Sequence, residues 1–287
     1  MTEPRDKLLS VVILTRNEER NLPFALRSLS SLPVEVFVVD SGSTDATAQI
    51  AADAGVRVIA HPWQTYAKQL NWAIETLPIT TPWTMRLDAD ERLTPELVEE
   101  IGAALENAPK NVAAFEMRRR VYFWGRWIRH GGYYPIWLVR VWRTGKGHCE
   151  DLWMDEHMLI SDGETRRLRG DIIDENHKGL GFWIAKHNDY ADREVKDILE
   201  KRSAAPNLRG QAGRKRKLKI WIYGNSPVFL RAFLYWAYRY FVRLGFLDGL
   251  AGLVFHFLQG FWYRLLIDAK LHEAEIAQGH SASPSIR

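Results

Sequence analysis

Four short apolar runs, each followed by a segment of helical character, constrain the fold of this chain more than any other feature. Leu8 to Thr15 (LLSVVILT) is almost continuously apolar and β-branched, the pattern of a strand buried on both faces of a parallel sheet. Asn21 then caps a helix whose Pro23 falls in the first turn. Val34 to Val39 (VEVFVV) repeats the unit: Ala46 to Ala54 reads as a helix, and Gly55 is its stop. Val56 to Ala60 is a third strand, Tyr66 to Leu77 a helix and Trp83 to Leu87 a fourth strand. A helix of about Pro95 to Asn107 follows, capped by Thr94. Alternating strands and helices joined by right-handed crossovers predict an α/β fold with a mostly parallel sheet. Ligands of such sheets bind beyond the carboxyl ends of the strands, where Asn17-Glu18, Asp40 and Asp88 to Asp90 fall.

The fourth strand runs straight into Asp88, Ala89, Asp90 and Glu91. Carboxylates crowded at one strand end repel one another and require a cation, water or a basic partner. A hard divalent ion such as Mg2+ or Mn2+ takes oxygen ligands and can bridge phosphate oxygens, which suits an Asp-x-Asp pair. The alternative is a solvated acidic turn ahead of a helix.

Further on, Val112 to Val121 and Trp137 to Trp142 read as strands, in a stretch rich in aromatics and arginines. Most of those aromatics are expected to fill the core, although stacked rings can also bind sugars. Acidic clusters recur at Glu150 to His157 and at Asp174 to His177. From Arg209 to Lys219 the chain is strongly basic, and from Val228 to Ile267 it is apolar and aromatic with scattered charges. The uncharged stretch Gly249 to Tyr263 falls short of the roughly 20 apolar residues of a spanning helix, whereas a basic patch beside aromatic amphipathic helices fits the membrane interface. A helical hairpin packed on the catalytic domain, or a dimer contact, is the competing reading.

Hydrophobic residues make up 46% of the 287 and charged ones 26%, enough for a packed core. The net charge of +4 does not mark a nucleic-acid binder. A single cysteine, Cys149, excludes an internal disulfide and fits a reducing compartment, and the N-terminal residues show no secretory signal pattern, so a cytoplasmic location is expected.

Taken together, Val11 to Glu19 (VVILTRNEE), Val38 to Asp45 (VVDSGSTD), Tyr66 to Ala73 (YAKQLNWA) and Leu87 to Glu91 (LDADE) resemble the successive signatures of family-two inverting glycosyltransferases of the GT-A fold. The resemblance implies a nucleotide-diphosphate sugar as donor, with uridine the first choice of base, and a divalent metal. By the same resemblance Thr15 and Glu18 contact the nucleotide, Asp40 the base, and Lys68 and Gln69 the base and diphosphate. Asp88 stands near ribose and metal, Asp90 is the metal ligand, and His177 is a further candidate for the metal or diphosphate. Inverting transfer needs a general base beyond the Asp-x-Asp; Glu156 is the choice, with Asp155 and Asp151 next.

The later acidic stretches and aromatic tail resemble bacterial enzymes that build lipopolysaccharide or polysaccharide on a lipid carrier. They imply a lipid-linked saccharide acceptor and a peripheral position on the cytoplasmic face of the inner membrane, with a homo-oligomer allowed; single addition is expected because neither the Gln-x-x-Arg-Trp motif nor the several spanning helices of related processive synthases is evident. The expected organisation is a catalytic domain over 1–205, in which residues 1–110 bind the nucleotide and residues 111–205 the acceptor. A helical membrane-associating region over 206–276 and a disordered tail over 277–287 complete it. A non-catalytic scaffold of an envelope-polysaccharide assembly is the alternative, which the intact Asp88 and Asp90 disfavour. A nucleotidyltransferase is disfavoured because Thr15 to Asn21 lacks a glycine-rich loop.

Overall fold

A computed structural model describes residues 7–151, 156–201 and 229–277. Asp155, the basic stretch 209–219 and the tail 278–287 lie outside the described residues. The chain divides into two compact units, one of Met1–Trp127 with Tyr133–Gly179 and one of Ile128–Gly132 with Leu180–Arg287. The expected boundary at 205 falls outside the described residues, and the units divide at Gly179.

The first unit is built on one sheet. Its parallel half is formed by β1 (Leu9–Thr15), β2 (Val34–Asp40), β3 (Arg57–Ala60) and β4 (Trp83–Arg86), with β1 between β2 and β4. It continues through β5 (Glu91–Leu93), β6 (Val112–Phe123), β7 (Arg126–Trp127), β8 (Ile136–Arg143) and β11 (Glu164–Glu175) in the order β3-β2-β1-β4-β8-β6-β11-β5, with β7 paired to β6. β8 is antiparallel to both β4 and β6, so the second half of the sheet is mixed. A separate hairpin joins β9 (Gly147–Cys149) to β10 (Met158–Ile160).

Strand alternation divides the core into two layers. Val11, Ile13 and Met85 face helices α1 (Leu22–Leu29), α2 (Thr47–Asp53) and α4 (Pro95–Glu106), packing against Ala25, Leu29, Ala51, Leu97 and Ile101. Val12, Phe37 and Val39 face the other way, onto Ala67, Leu70 and Ala73 of α3 (Tyr66–Thr76) and onto Trp142. Both faces of β1 are therefore dry, as its unbroken apolar run requires.

Thr65 and Thr94 cap α3 and α4, accepting from Lys68 N at 3.2 Å and Leu97 N at 3.3 Å. The cap expected at Asn21 is not made. Its side chain donates instead to Glu18 Oε2 at 2.7 Å and accepts from His177 N at 2.8 Å, so tertiary contacts take the group the helix end would have used.

The second unit is helical: α5 (Gly179–Lys201), α6 (Leu230–Ala237), α7 (Gly249–His256) and α8 (Tyr263–Ala277). A π-helical turn, Tyr238–Val242, extends α6; a 3-10 turn, Gly245–Asp248, leads into α7; and a second π-helical turn, Phe257–Trp262, joins α7 to α8. α5 and α8 pack through Ala191, Val195, Tyr263 and Ile267. The continuous path Gly245–Ala277 is, by length and composition, long and apolar enough to cross a membrane. The uncharged run alone is shorter, and the 3-10 turn before it and α8 after it supply the rest of that length.

β11 lies so close to α4 that a Cβ on Gly170 would stand 2.5 Å from Leu97 Cα. Gly170→Ala is expected to lower stability by about 1–3 kcal/mol through overpacking against backbone. A lower urea midpoint at unchanged m-value is the expected reading, and an unchanged midpoint would mean that this contact yields at no cost.

Candidate active site

The loops after β1 and β2 are fastened to each other, residue by residue. Asn17 N donates to Ser43 Oγ at 2.8 Å, Glu18 N to Thr47 Oγ1 at 2.6 Å and Glu19 N to Asp45 Oδ2 at 3.2 Å. In return Thr44 N donates to Asn17 Oδ1 at 2.7 Å and Ala46 N to Glu19 Oε2 at 3.2 Å. Asn17 adopts the left-handed conformation (φ 55°) that this exchange needs, which asparagine tolerates better than most residues.

Asp40, at the end of β2, is the hub of these loops. Its Oδ1 accepts from Thr15 Oγ1 at 2.9 Å and Ser43 Oγ at 2.5 Å, and its Oδ2 from Gly42 N at 3.1 Å and Ser43 N at 2.9 Å. Gln69 is fully buried: its side chain meets His61 Nδ1 at 2.8 Å and donates to Ser41 Oγ at 3.0 Å and His61 O at 3.2 Å. Thr15 and Gln69 thus shape the loops from below, while the Lys68 side chain is exposed.

Asp88 is enclosed by partners that the sequence reading did not include. Arg86 lies two residues before it, on the same face of the strand, and donates to both of its oxygens at 3.3 and 3.4 Å. Arg140 of β8 donates to Asp88 Oδ2 at 3.1 Å and to Glu91 Oε1 at 2.5 Å, and Tyr66 donates to Asp88 Oδ1. The Asp88 N–H in turn donates to Glu91 Oε2 at 3.1 Å. Burial disfavours the charge on Asp88, but Arg86 and Arg140 outweigh it and hold the carboxyl well below its ordinary range. Burial pushes Glu91 up to about 7 against the pull of Arg140, with Asp88 and Asp174 adding to the rise.

Asp90 looks toward a different set of groups. Asn176 Nδ2 donates to Asp90 Oδ2 at 3.0 Å and Glu175 N to Asp90 O at 3.0 Å, which fixes the end of β11 against the acidic loop. Glu18 accepts from Lys178 Nζ at 2.6 Å; burial raises its pKa, Lys178 opposes the rise, and the charge of Asp90 adds to it. His177 packs against Phe24 with ring centroids 4.5 Å apart. Its buried Nε2 makes no hydrogen bond among the described residues and lies 3.9 Å from Glu175 Oε2.

The β9-β10 hairpin carries the acids considered for a general base. Glu156 is half-buried, Asp151 is exposed, and Asp155 lies outside the described residues. Burial raises the Cys149 thiol to about 12; Arg86 opposes this, while Glu156, Asp88 and Glu150 add to it. Glu156 and Asp88 therefore act on one buried thiol.

Residues 10–155 match the family described as Glycosyl transferase family 2, and the chain belongs to that family. It is a glycosyltransferase, and its α/β sheet with C-terminal helices has the form expected of the GT-A fold. The lipopolysaccharide core biosynthesis glycosyltransferase LpsC of Rhizobium meliloti (strain 1021) is 28% identical over 261 residues, covering 87% of this chain and 89% of LpsC. An uncharacterized glycosyltransferase of Rickettsia bellii (strain RML369-C) is 41% identical over 101 residues, or 35% of this chain and 34% of that protein. Among solved structures, S. aureus TarS 1–349 in complex with UDP-GlcNAc aligns with a TM-score of 0.49 at 15% identity, covering 94% of this chain and 92% of that one.

Glu91 yields a pH prediction. A carboxyl raised from an ordinary value of 4.5 to about 7 binds its proton more tightly folded than unfolded. Its contribution to stability is then full below the ordinary value and is lost as pH rises through the folded one. Urea midpoints of the wild type are expected to carry a component that falls across that window and is absent in Glu91→Gln. Parallel pH profiles would show that Glu91 stays ionised. Arg140→Met leaves the buried Glu91 without its basic partner and takes one of two from the half-buried Asp88, and is expected to cost about 3 kcal/mol in the same assay.

Proposed function

We propose that this chain moves one sugar per turnover, with inversion, from a nucleotide-diphosphate sugar to a lipid-linked saccharide or lipopolysaccharide acceptor at the cytoplasmic membrane surface. The observation that carries this reading is the convergence at the carboxyl ends of the parallel strands. Asp90, Asn176, Glu18 and Lys178 are brought together there, beside the Asp88 network and on a family-two chain. The name of LpsC, which matches nearly end to end, supports the acceptor class. Uridine is the first base to test.

In this reading Thr15, Glu18, Asp40, Lys68, Gln69 and Asp88 form the nucleotide side of the site. Asp40, Thr15 and Gln69 fix the loop shape, and Lys68 offers charge from the exposed start of α3. Arg86, Arg140 and Tyr66 occupy both Asp88 oxygens, which leaves Asp90 and the orphaned Nε2 of His177 as the groups that would hold Mg2+ or Mn2+. The described residues contain no cluster of three or more His, Cys, Asp or Glu side chains able to hold a metal by themselves. A hard divalent cation held there would accept further oxygen ligands from solvent or substrate. Such a cation supplies positive charge where the leaving diphosphate gathers negative charge.

Glu156 acts as general base. It accepts the proton of the acceptor hydroxyl as that oxygen bonds to the anomeric carbon and the bond to the diphosphate breaks on the opposite face. Its position on the hairpin beside Cys149 supports the assignment over the exposed Asp151.

Two measurements test this reading. Calorimetric titration of UDP and of GDP, each with Mn2+ and with EDTA, is expected to show metal-dependent binding of one nucleotide to the wild type and none to Asp90→Asn. Binding that ignores both EDTA and the substitution would remove the metal from Asp90. Glu156→Gln is expected to keep nucleotide binding and lose about 100-fold in transfer, the scale of a missing general base. Unimpaired transfer would pass the role to Asp155 or Asp151.

A further inference from the structure

Helices α6 and α7 reverse the usual amphipathic rule of a soluble protein. On α6 and the turn that extends it, Leu230, Phe233, Leu234, Tyr238, Phe241 and Val242 recur at helical spacing and are exposed, Val242 at 67%. A second such stripe runs through Phe246, Leu247, Leu250, Leu253 and Phe257, with Leu250 72% exposed.

Arg231, Asp248 and His256 point the other way, while Arg243 is exposed and Arg239 half-buried. Arg231 is buried and donates to Asp268 Oδ1 at 2.9 Å and Oδ2 at 3.0 Å. Asp248 is 3% exposed and accepts from His130 N at 3.0 Å, Arg129 N at 3.3 Å, His130 Nδ1 at 2.6 Å and His256 Nε2 at 3.3 Å. Glycine makes this inward packing possible: a Cβ on Gly131 would stand 2.1 Å from His256 Cε1, and one on Gly245 2.7 Å from its Nε2. Arg239 and Arg243 hold their guanidinium groups beside Gly132, each within 3.7 Å of where its Cβ would be. Asp248 is the sole acidic residue from Phe229 to Trp262, and it is buried.

From this pattern we infer that α6, α7 and the turns joining them embed their apolar stripes in the acyl-chain layer of one leaflet, with Arg239 and Arg243 at the lipid phosphates. The inference rests on the proposed membrane-surface reading and goes beyond it, because electrostatic adsorption needs only the basic stretch 209–219. Exposed Leu, Phe and Val match hydrocarbon, and a cationic rim matches a phosphate layer. A second copy fits the patch less well: it brings the same arginines and no exposed acid from this segment to meet them.

The test uses the full chain and vesicles of phosphatidylcholine alone, sedimented in about 1 M NaCl, where the Debye length is only about 3 Å. Co-sedimentation is expected to persist for the wild type. It should fall by about ten-fold or more in Leu234→Ser and in Leu250→Asp, each of which removes one large apolar side chain from the stripe. Both positions are exposed, and unchanged nucleotide titration with unchanged circular dichroism identifies a folded variant. Binding confined to vesicles containing phosphatidylglycerol at low salt would overturn insertion and leave surface adsorption standing. No binding to either vesicle, with a dimer that Leu250→Asp dissociates, would overturn it in favour of contact between copies. Nucleotide titration on the same preparations reads the transferase assignment independently of each of these outcomes.

Discussion

The strand ends depend on Arg140 standing between two carboxylates, the buried Glu91 and the half-buried Asp88. Asp88 and Glu91 are three residues apart in one tight turn, and Glu91 is almost wholly inaccessible. Left alone, such a pair would take up a proton or open to water. The antiparallel register of β8 on β4, with Val141 opposite Met85, carries Arg140 to the end of β4, where one guanidinium group serves both acids. Arg86 meets Asp88 along the strand itself and lies over the Tyr66 ring at 4.2 Å, so strand, helix and cross-strand contacts all converge on one carboxylate. Fixing Asp88 fixes the turn that presents Asp90.

That turn is held from the far side as well. Asn176 and the Glu175 amide bind Asp90, the Asn21 side chain joins Glu18 to the His177 amide, and Lys178 closes on Glu18. Residues that begin α1, end β4 and end β11 therefore form one polar network. Loop backbone and side chains are thus ordered by contacts within the chain itself. Nucleophilic chemistry by Cys149 is not in prospect, since its thiol is raised to about 12 and it is buried.

How much of this could be read from the sequence follows from the range of the interactions involved. Apolar runs such as VVILT and VFVV mark β1 and β2 because burial on both faces leaves no polar alternation to confuse. The positions of Asp40, Asp88 and Asp90 beyond strand ends follow from that frame. β11 escapes the same reading: its first third, Glu164 to Arg167, is exposed and mostly charged, and register shifts interrupt its pairing with β6. Arg86 was legible in principle, since period-two spacing places it on the Asp88 face. Arg140 was not, because its role depends on the β4-β8 register across more than fifty residues of chain. Asn21 shows the same limit from the other direction: a sound local cap signal was spent on a partner 156 positions away.

The helical unit poses the opposite problem from the sheet. In the sheet unit the buried charges of Glu91, Arg140 and Asp171 are paired, and apolar side chains fill both faces of the sheet. In α6 and α7 charge is again paired and buried, yet large apolar side chains face outward along two stripes. Water rewards neither half of that arrangement, since it would solvate the ions and expel the leucines. A medium with no hydrogen bonds to offer reverses both preferences: it penalises any ion left unpaired and accepts the leucines without cost. On the proposed embedding, the buried Arg231–Asp268 pair and the exposed Leu250 follow from one solvent, a hydrocarbon layer.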